Sequence, residues 1–242
     1  MISGPFGVAT PEFTFAFQPI VDTEAREVVS YEALIRGPGD ESANQILRQV
    51  PADRMFAFDL RARVKAIDLA MRLGLSCNLN LNFLPRSLES SAESILTTLE
   101  AARCANLPVS RIVLEVVEGE IIDRTSRFID LINEYRGMGM MVAIDDFGAG
   151  YSGLNLLADF QPDQVKIDMN LIRGIEHRGP RQAIVRAIHQ ICADLGIDLI
   201  AEGVETEPEY AWLASQGIHL YQGYLFAKPE HESFPRVHYP EL

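Results

Sequence analysis

The sequence predicts an α/β fold: a modified TIM-type (β/α)8 barrel with one antiparallel strand near the N-terminus. Short apolar runs of strand length alternate with segments of 3.6-residue periodicity, the pattern of right-handed βαβ units and a parallel sheet. Eight such runs occur, the number that closes a barrel. The first two are joined only by Asp22 to Arg26, and so short a turn joins antiparallel strands. An open α/β sheet is the alternative, but 242 residues is long for a doubly wound domain and comfortable for one barrel.

The elements follow in order, with strands read from apolar runs bounded by turn residues and helices from apolar periodicity. Phe13 to Val21 and Glu27 to Ile35 are the opening strands. A helix runs through Arg54 to Leu73 and stops at Gly74, which supplies the left-handed residue that ends many helices. A strand near Cys77 to Asn82 and a helix within Leu88 to Asn106 come next. Ile112 to Glu115 and Arg127 to Gly137 repeat the unit, as do Met140 to Ile144 with a short helix near Tyr151 to Ala158. Gln164 to Ile167 precedes a helix over Arg181 to Leu195, and Asp198 to Ala201 precedes one within Pro208 to Gln216. His219 to Tyr221 closes the series.

No repeat, low-complexity tract or Pro/Gly/Ser linker divides the chain, so residues 1–242 are read as one domain with its core over about 13–230. Hydrophobic residues at 48% and charged residues at 23% suffice for a large core, which excludes a disordered chain. Met1 to Thr10 lacks the basic and apolar regions of a signal peptide, and no apolar run approaches the roughly 18 residues that span a bilayer. Cys77, Cys104 and Cys192 are odd in number and widely spaced, and are read as buried side chains in a reducing compartment. A cytoplasmic protein without membrane insertion is expected. The net charge of -13 argues against binding duplex nucleic acid. If the substrate is itself an anion, bound cations must stand between it and the protein.

Position, more than the number of acids, carries the chemistry. Asn82, Glu115, Asp145 with Asp146, Lys166 with Asp168, and Glu202 each follow an apolar strand run at its C-terminal end. In a barrel those ends share one face, where catalytic groups sit. Glu32 lies inside the second strand, between Tyr31 and Ala33-Leu34, where a buried acid needs a partner or a metal. So many carboxylates in one cup cannot all stay ionised without cations. The oxygen ligands on offer are Glu32, Asn82, Glu115, Asp145, Asp146 and Glu202. With no histidine or cysteine among them, they point to Mg²⁺ or Mn²⁺ rather than zinc or copper. The adjacent Asp145-Asp146 pair suits two ions roughly 3.5–4 Å apart, an arrangement that clamps attacking and leaving oxygens in phosphoryl transfer. Lys166, between Val165 and Ile167, is read as a phosphate or water contact rather than a surface lysine. Any single acid after a strand is ordinarily a helix cap or a solvated loop residue, and Asp123 is read that way. Recurrence at successive strand ends sets the others apart.

Two motifs mislead. Gly148-Ala149-Gly150-Tyr151-Ser152-Gly153 satisfies G-x-G-x-x-G after a strand. It stands in the fifth strand unit, and Asp145 and Asp146 would face a pyrophosphate without compensation. Asp146-Phe147-Gly148 matches a kinase triplet, but the chain has no HRD loop. The glycines fit better as a mobile loop over the metals.

At these positions, from about Phe17 to Pro229, the sequence resembles the EAL-domain family, named for Glu32-Ala33-Leu34. The other residues that carry the resemblance are Gln18-Pro19-Ile20, Asn82, Glu115 with Glu118, Asp145 to Ser152, Lys166-Ile167-Asp168, Ala201 to Thr206, and Gln222-Gly223-Tyr224. The resemblance implies hydrolysis of one phosphodiester of cyclic di-GMP to linear pGpG. It implies that Glu32, Asn82, Glu115 and Asp145 hold one ion and that Asp145, Asp146 and Glu202 hold the second, with water between them as nucleophile. Lys166 would orient that water, with Glu202 as a candidate base. Gln18, Arg36, Lys166 and Asp168 are expected at the substrate, and Glu118, Glu205 and Gln222 behind the ligands, Glu118 tethering the Asp146–Gly153 loop. A homodimer is expected, since family members commonly assemble next to that loop. The sequence departs from the family at Val116-Val117, at Gly37 after Arg36, and in Leu81-Asn82-Phe83-Leu84-Pro85, where Asn78 and Asn80 are rivals to Asn82. None of these removes a ligand.

Two other functions compete. A non-catalytic module could bind cyclic di-GMP or a protein partner, although such domains typically lack several acids that this chain keeps. An enolase-type barrel would need a second strand-end base opposite Lys166. The histidines, His177, His189, His219, His231 and His238, are scattered and supply none.

Overall fold

A computed structural model describes residues 11–83, 91–121, 125–150 and 153–241. Strands β1 (Thr14–Asp22) and β2 (Glu27–Arg36) form the expected antiparallel hairpin. Asp22 makes the turn, its Oδ1 accepting from the backbone N–H groups of Glu24 at 2.8 Å and Ala25 at 2.9 Å. Strands β3 (Asn78–Asn82), β4 (Ile112–Val117), β5 (Met141–Phe147), β6 (Gln164–Ile167), β7 (Asp198–Ala201) and β8 (Leu220–Tyr221) follow. The hydrogen-bonded order runs β2-β3-β4-β5-β6-β7-β8-β1, and β1 pairs back with β2, so the eight strands close into a ring. β1 is antiparallel to both its ring neighbours, and the other pairings in the ring are parallel. This is the modified barrel that the short first turn implied. A ninth strand, β9 (Glu230–His231), bonds to β1 outside the ring. Two residues are too few to give an alternation signal.

Helices α1 (Ala43–Leu47), α2 (Met55–Arg72), α3 (Ser91–Ala105), α4 (Glu118–Ile121), α5 (Thr125–Gly137), α6 (Gly153–Asp159), α7 (Met169–Ile172), α8 (Gly179–Leu195) and α9 (Glu207–Ser215) lie between the strands. The sequence reading missed the three shortest, α4, α7 and α1, which are too brief for apolar periodicity. α1 is held by a capping box between Ser42 and Gln45. α2 ends as expected, with Gly74 at φ 84° and Leu75 N–H donating back to Ala70 O at 3.1 Å.

Alternation along each strand divides the barrel wall into two faces. In β3, Asn78-Leu79-Asn80-Leu81-Asn82, the leucines are buried in the main core. Ile112, Leu114 and Val116 of β4, Val142 and Ile144 of β5, and Val165 and Ile167 of β6 join the same core. The opposite face looks inward. Ile20, Ile200 and Leu220 form a separate apolar cluster there.

Three details differ from the sequence reading. β5 runs on to Phe147, so Asp145 and Asp146 lie within the strand rather than past its end. Glu115 is likewise inside β4. Cys104 is exposed and Cys77 half-buried, so of the three thiols only Cys192 is buried as expected. Asp123, Leu84, Pro85, Tyr151 and Ser152 fall outside the described residues. No helix among the described residues is long and apolar enough to cross a membrane.

Candidate active site

The ladder register brings the inward polar residues to one level. Gln18 pairs with Glu32, Glu32 with Asn80, and Asn82 with Glu115, and laterally paired residues point to the same face. Plain alternation would aim only one of Asp145 and Asp146 inward. The register between β5 and β6 shifts there: Ile144 pairs with Val165 and Phe147 with Ile167, leaving two residues of β5 opposite Lys166. This is a β-bulge, and it re-aims side chains at the end of a strand. Asp146 takes the left-handed backbone, φ 55°, which Asp tolerates better than most residues. One ligand oxygen from each of Asp145, Asp146 and Glu202 then falls within 4.8 Å of the others.

Lys166 occupies the centre and is 1% exposed. Its ammonium lies 2.6 Å from Glu202 Oε1, 2.7 Å from Glu115 Oε1, and 3.2 Å from both Glu32 Oε2 and Asp145 Oδ1. Burial alone would lower its pKa; the charges of Asp145, Glu115, Glu202 and Glu32 outweigh that and hold it well above the usual lysine value. One ammonium cannot satisfy four acids. Burial, then the charge of Glu32, pushes the Glu115 carboxyl well up despite Lys166. Burial does the same to Glu202, where the attraction of Lys166 is opposed by Asp145. Asp146 is pushed up to about 6 by burial, then by Asp145 and Asp168. Glu32 is held low. Burial favours its neutral form, but Lys166 and hydrogen bonds from Gln222 and Asn82 prevail. Those bonds run from Gln222 Nε2 to Oε2 at 2.8 Å and from Asn82 Nδ2 to Oε1 at 3.1 Å.

This donor set fits hard divalent cations. It consists of carboxylate and amide oxygens, and Glu115 Oε2 is buried without a hydrogen-bond partner among the described residues. A cavity of about 270 Å³ opens onto it, with Gln18, Asp146, Lys166, Glu202, Gln222 and Tyr224 among its walls. Gly223 lets one wall close, since a Cβ there would sit 2.0 Å from Val204 O.

The family model described as "EAL domain" matches residues 7–229. The chain belongs to the EAL domain family. Among curated relatives it is 36% identical over 228 residues to the blue light- and temperature-regulated antirepressor BluF of Escherichia coli K12, covering 94% of this chain and 57% of BluF. It is 32% identical over 226 residues to the cyclic di-GMP phosphodiesterase PdeR of the same strain, covering 88% of this chain and 33% of PdeR. The chain thus spans only about a third to somewhat over half of these relatives. A standalone EAL protein from Vibrio cholerae O395, solved with cyclic di-GMP bound, superposes with a TM-score of 0.91 at 46% identity, covering 95% of this chain and 97% of that one. Klebsiella pneumoniae BlrP1, solved as a manganese and cyclic di-GMP complex, gives 0.90 at 39%, covering 97% and 60%.

In this EAL domain the remaining expected residues have definite surroundings. Glu118 Oε2 accepts from Gly148 N–H at 2.9 Å, and a Cβ on Gly150 would lie 2.9 Å from Glu118 Oε1. That carboxylate therefore bonds the glycine loop at Gly148 and leaves no room for a side chain at Gly150. Gln18 Nε2 donates to Ala227 O at 3.2 Å, and its Oε1 accepts from Gln222 at 3.4 Å. Asp168 is 5% exposed and caps α7, accepting from Asn170 N–H at 2.9 Å. Glu205 forms a two-pronged pair with Arg173, one prong at 2.8 Å. Arg36 stands apart from the ammonium cluster at the end of β2, 3.7 Å from Asp40.

Sequence reasoning ranked Asn82 above Asn80. Asn82 does reach Glu32, but Asn80 is the fully buried asparagine; its Nδ2 donates to Glu115 Oε1 at 2.8 Å and its Oδ1 accepts from Ser30. The alternating asparagines of β3 were the available signal. Arg173 and Glu209 were missed altogether. Glu209 accepts from the N–H groups of Gly174, Glu205 and Thr206, and so shapes the turn after β7.

Proposed function

We propose that the chain is a divalent-cation-dependent phosphodiesterase that hydrolyses cyclic di-GMP to linear 5'-pGpG. The observation that carries this reading is the convergence of Glu32, Glu115, Asp145 and Glu202 on one buried ammonium, with Asp146 beside them. The name of PdeR and the ligands in the titles of the Vibrio and Klebsiella structures support it. Glu32, Asn82, Glu115 and Asp145 would hold one ion, and Asp145, Asp146 and Glu202 a second, each Mg²⁺ or Mn²⁺. Bound there, the ions would acidify water enough to attack phosphorus near neutral pH and would offset the charge of the phosphate.

The protein groups divide the remaining work. Lys166, whose ammonium lies among these acids, would serve as donor and counter-charge to a phosphate oxygen rather than as a base. Glu202, 2.6 Å from the Lys166 ammonium in the same cluster, would receive a proton from the attacking water. Glu32 and Asp146 are essential as carboxylates. Gln18 in the cavity wall, with Arg36 and Asp168, would orient the substrate. Gln222 and Glu205 support the ligands, and Glu118 ties the glycine loop to the end of β4. A cytoplasmic homodimer is part of the same reading.

BluF, named as an antirepressor, favours a second reading: a module that binds cyclic di-GMP or a protein without turnover. Incubation of the folded protein with cyclic di-GMP and Mg²⁺ or Mn²⁺ separates the two. Linear pGpG, resolved by chromatography, is the expected product. Binding without pGpG would leave the second reading standing and remove the first.

A further inference from the structure

A second buried charge cluster lies behind the barrel wall. Asp59 and Arg63 of α2 are 3% and 2% exposed. The guanidinium donates to Asp59 Oδ2 at 3.0 Å, Ser94 Oγ at 2.8 Å, Thr98 Oγ1 at 2.9 Å and Tyr135 OH at 3.0 Å, joining α2, α3 and α5. It also lies over the ring of Phe83, 5.2 Å from the centroid, and that ring meets Tyr135 edge-on at 5.7 Å. Phe83 directly follows Asn82, and its backbone N–H donates to Glu115 O at 2.8 Å. The ring of Phe83 is thus gripped on the helix side. Its peptide joins the end of β3, which carries Asn82, to β4 at Glu115.

A cleft of about 180 Å³ opens between α2 and the wall, with Asp59 and Arg63 among its lining along with Glu32 and Asn82. Phe83 itself is buried in the main core, and the polar contacts of Arg63 add direction to that packing. A buried ion pair is a weak source of stability compared with apolar residues of the same volume, so its presence here asks for another reason.

We propose that the Asp59–Arg63 pair is a positioning device: acting through Phe83, it sets the strand end that presents Asn82 beside Glu115 to a bound cation. The proposal rests on the metal site proposed above. Its test is Mn²⁺ binding to the full chain, followed by electron paramagnetic resonance of the free ion, with no substrate present. Asp59→Leu with Arg63→Met removes both charges together, and Phe83→Leu keeps the pair but removes its link to the wall. Both are expected to melt cooperatively and to bind Mn²⁺ about tenfold more weakly, on the scale of losing outer support to a metal ligand. Val185→Ala, a core truncation on α8, controls for general loosening and is expected to keep wild-type affinity. Wild-type affinity in both folded test variants, or equal weakening in Val185→Ala, overturns the positioning role alone. Failure of the wild-type chain to bind Mn²⁺ overturns the metal site itself.

Discussion

The barrel wall buries a cation on each of its faces, and the two are provided for differently. Arg63, on the helix side, meets one carboxylate and three hydroxyls. Its charge is balanced and its terminal nitrogens are used, although its Nε has no hydrogen-bond partner among the described residues. Lys166, on the inner side, meets four carboxylates within 3.2 Å, and Glu115 Oε2 has no hydrogen-bond partner among the described residues. Burying charge is tolerable when each group finds its opposite. The outer cluster meets that condition by itself. The inner one is short of positive charge, which marks it as a place for ligands that bring their own.

The largest expected effect falls on the inner cluster. Glu32→Ala or Asp146→Asn should lower cyclic di-GMP turnover about a hundredfold or more, with the fold retained by circular dichroism. Retention of wild-type rates in either variant would discard the assigned metal ligands.

The contrast between the two cations is next. Arg63→Met takes the guanidinium from Asp59 and should cost about 3–5 kcal/mol even in chelator, a loss that Mn²⁺ does not restore. Lys166→Met leaves its carboxylates without a counter-charge, so the variant should melt early in chelator and recover when Mn²⁺ is added. If Mn²⁺ moved both melting temperatures alike, the two clusters would not differ in kind.

A smaller effect sharpens the inner cluster through pH. Asp146 has a folded pKa of about 6 against an ordinary 3.8, so the native, metal-free state holds its proton more tightly than the unfolded chain does. Its contribution to stability is therefore greatest below about pH 4 and declines as pH rises toward 6. Asp146→Asn should flatten that part of the metal-free stability profile, and saturating Mn²⁺ should remove the decline. A metal-free profile unchanged by the substitution would refute the assignment.

The smallest effect is a control. Asp68 and Arg72 share helix α2, the i,i+4 spacing and the 3.0 Å separation of Asp59 and Arg63, but both are mostly exposed. Arg72→Ala should change stability by no more than about 0.5 kcal/mol in a denaturant titration. Identical local geometry with different energy would show that burial decides what an ion pair does.

Much of the fold was legible because strands and helices leave different periods in the chain. The lone antiparallel strand followed from a turn too short for a crossover. Most of the candidate site was legible too, since barrels gather strand ends on one face. Glu32 stood out as an acid inside an apolar strand. Asn80 was underrated because three asparagines at spacing two look alike until a register assigns depth. Arg63 gave no signal, being one arginine among the polar residues of a long helix.

The chain alone determined the eight barrel strands, which face of each is apolar, and which oxygens are offered at or near their ends. Those are properties of neighbouring residues, fixed by alternation and turn chemistry. Closure of the ring decided the rest: which carboxylates share Lys166, how the bulge turns both Asp145 and Asp146 inward, and which polar residue meets which across the wall. These depend on register and burial between segments far apart in sequence, and no local pattern encodes the distance between them.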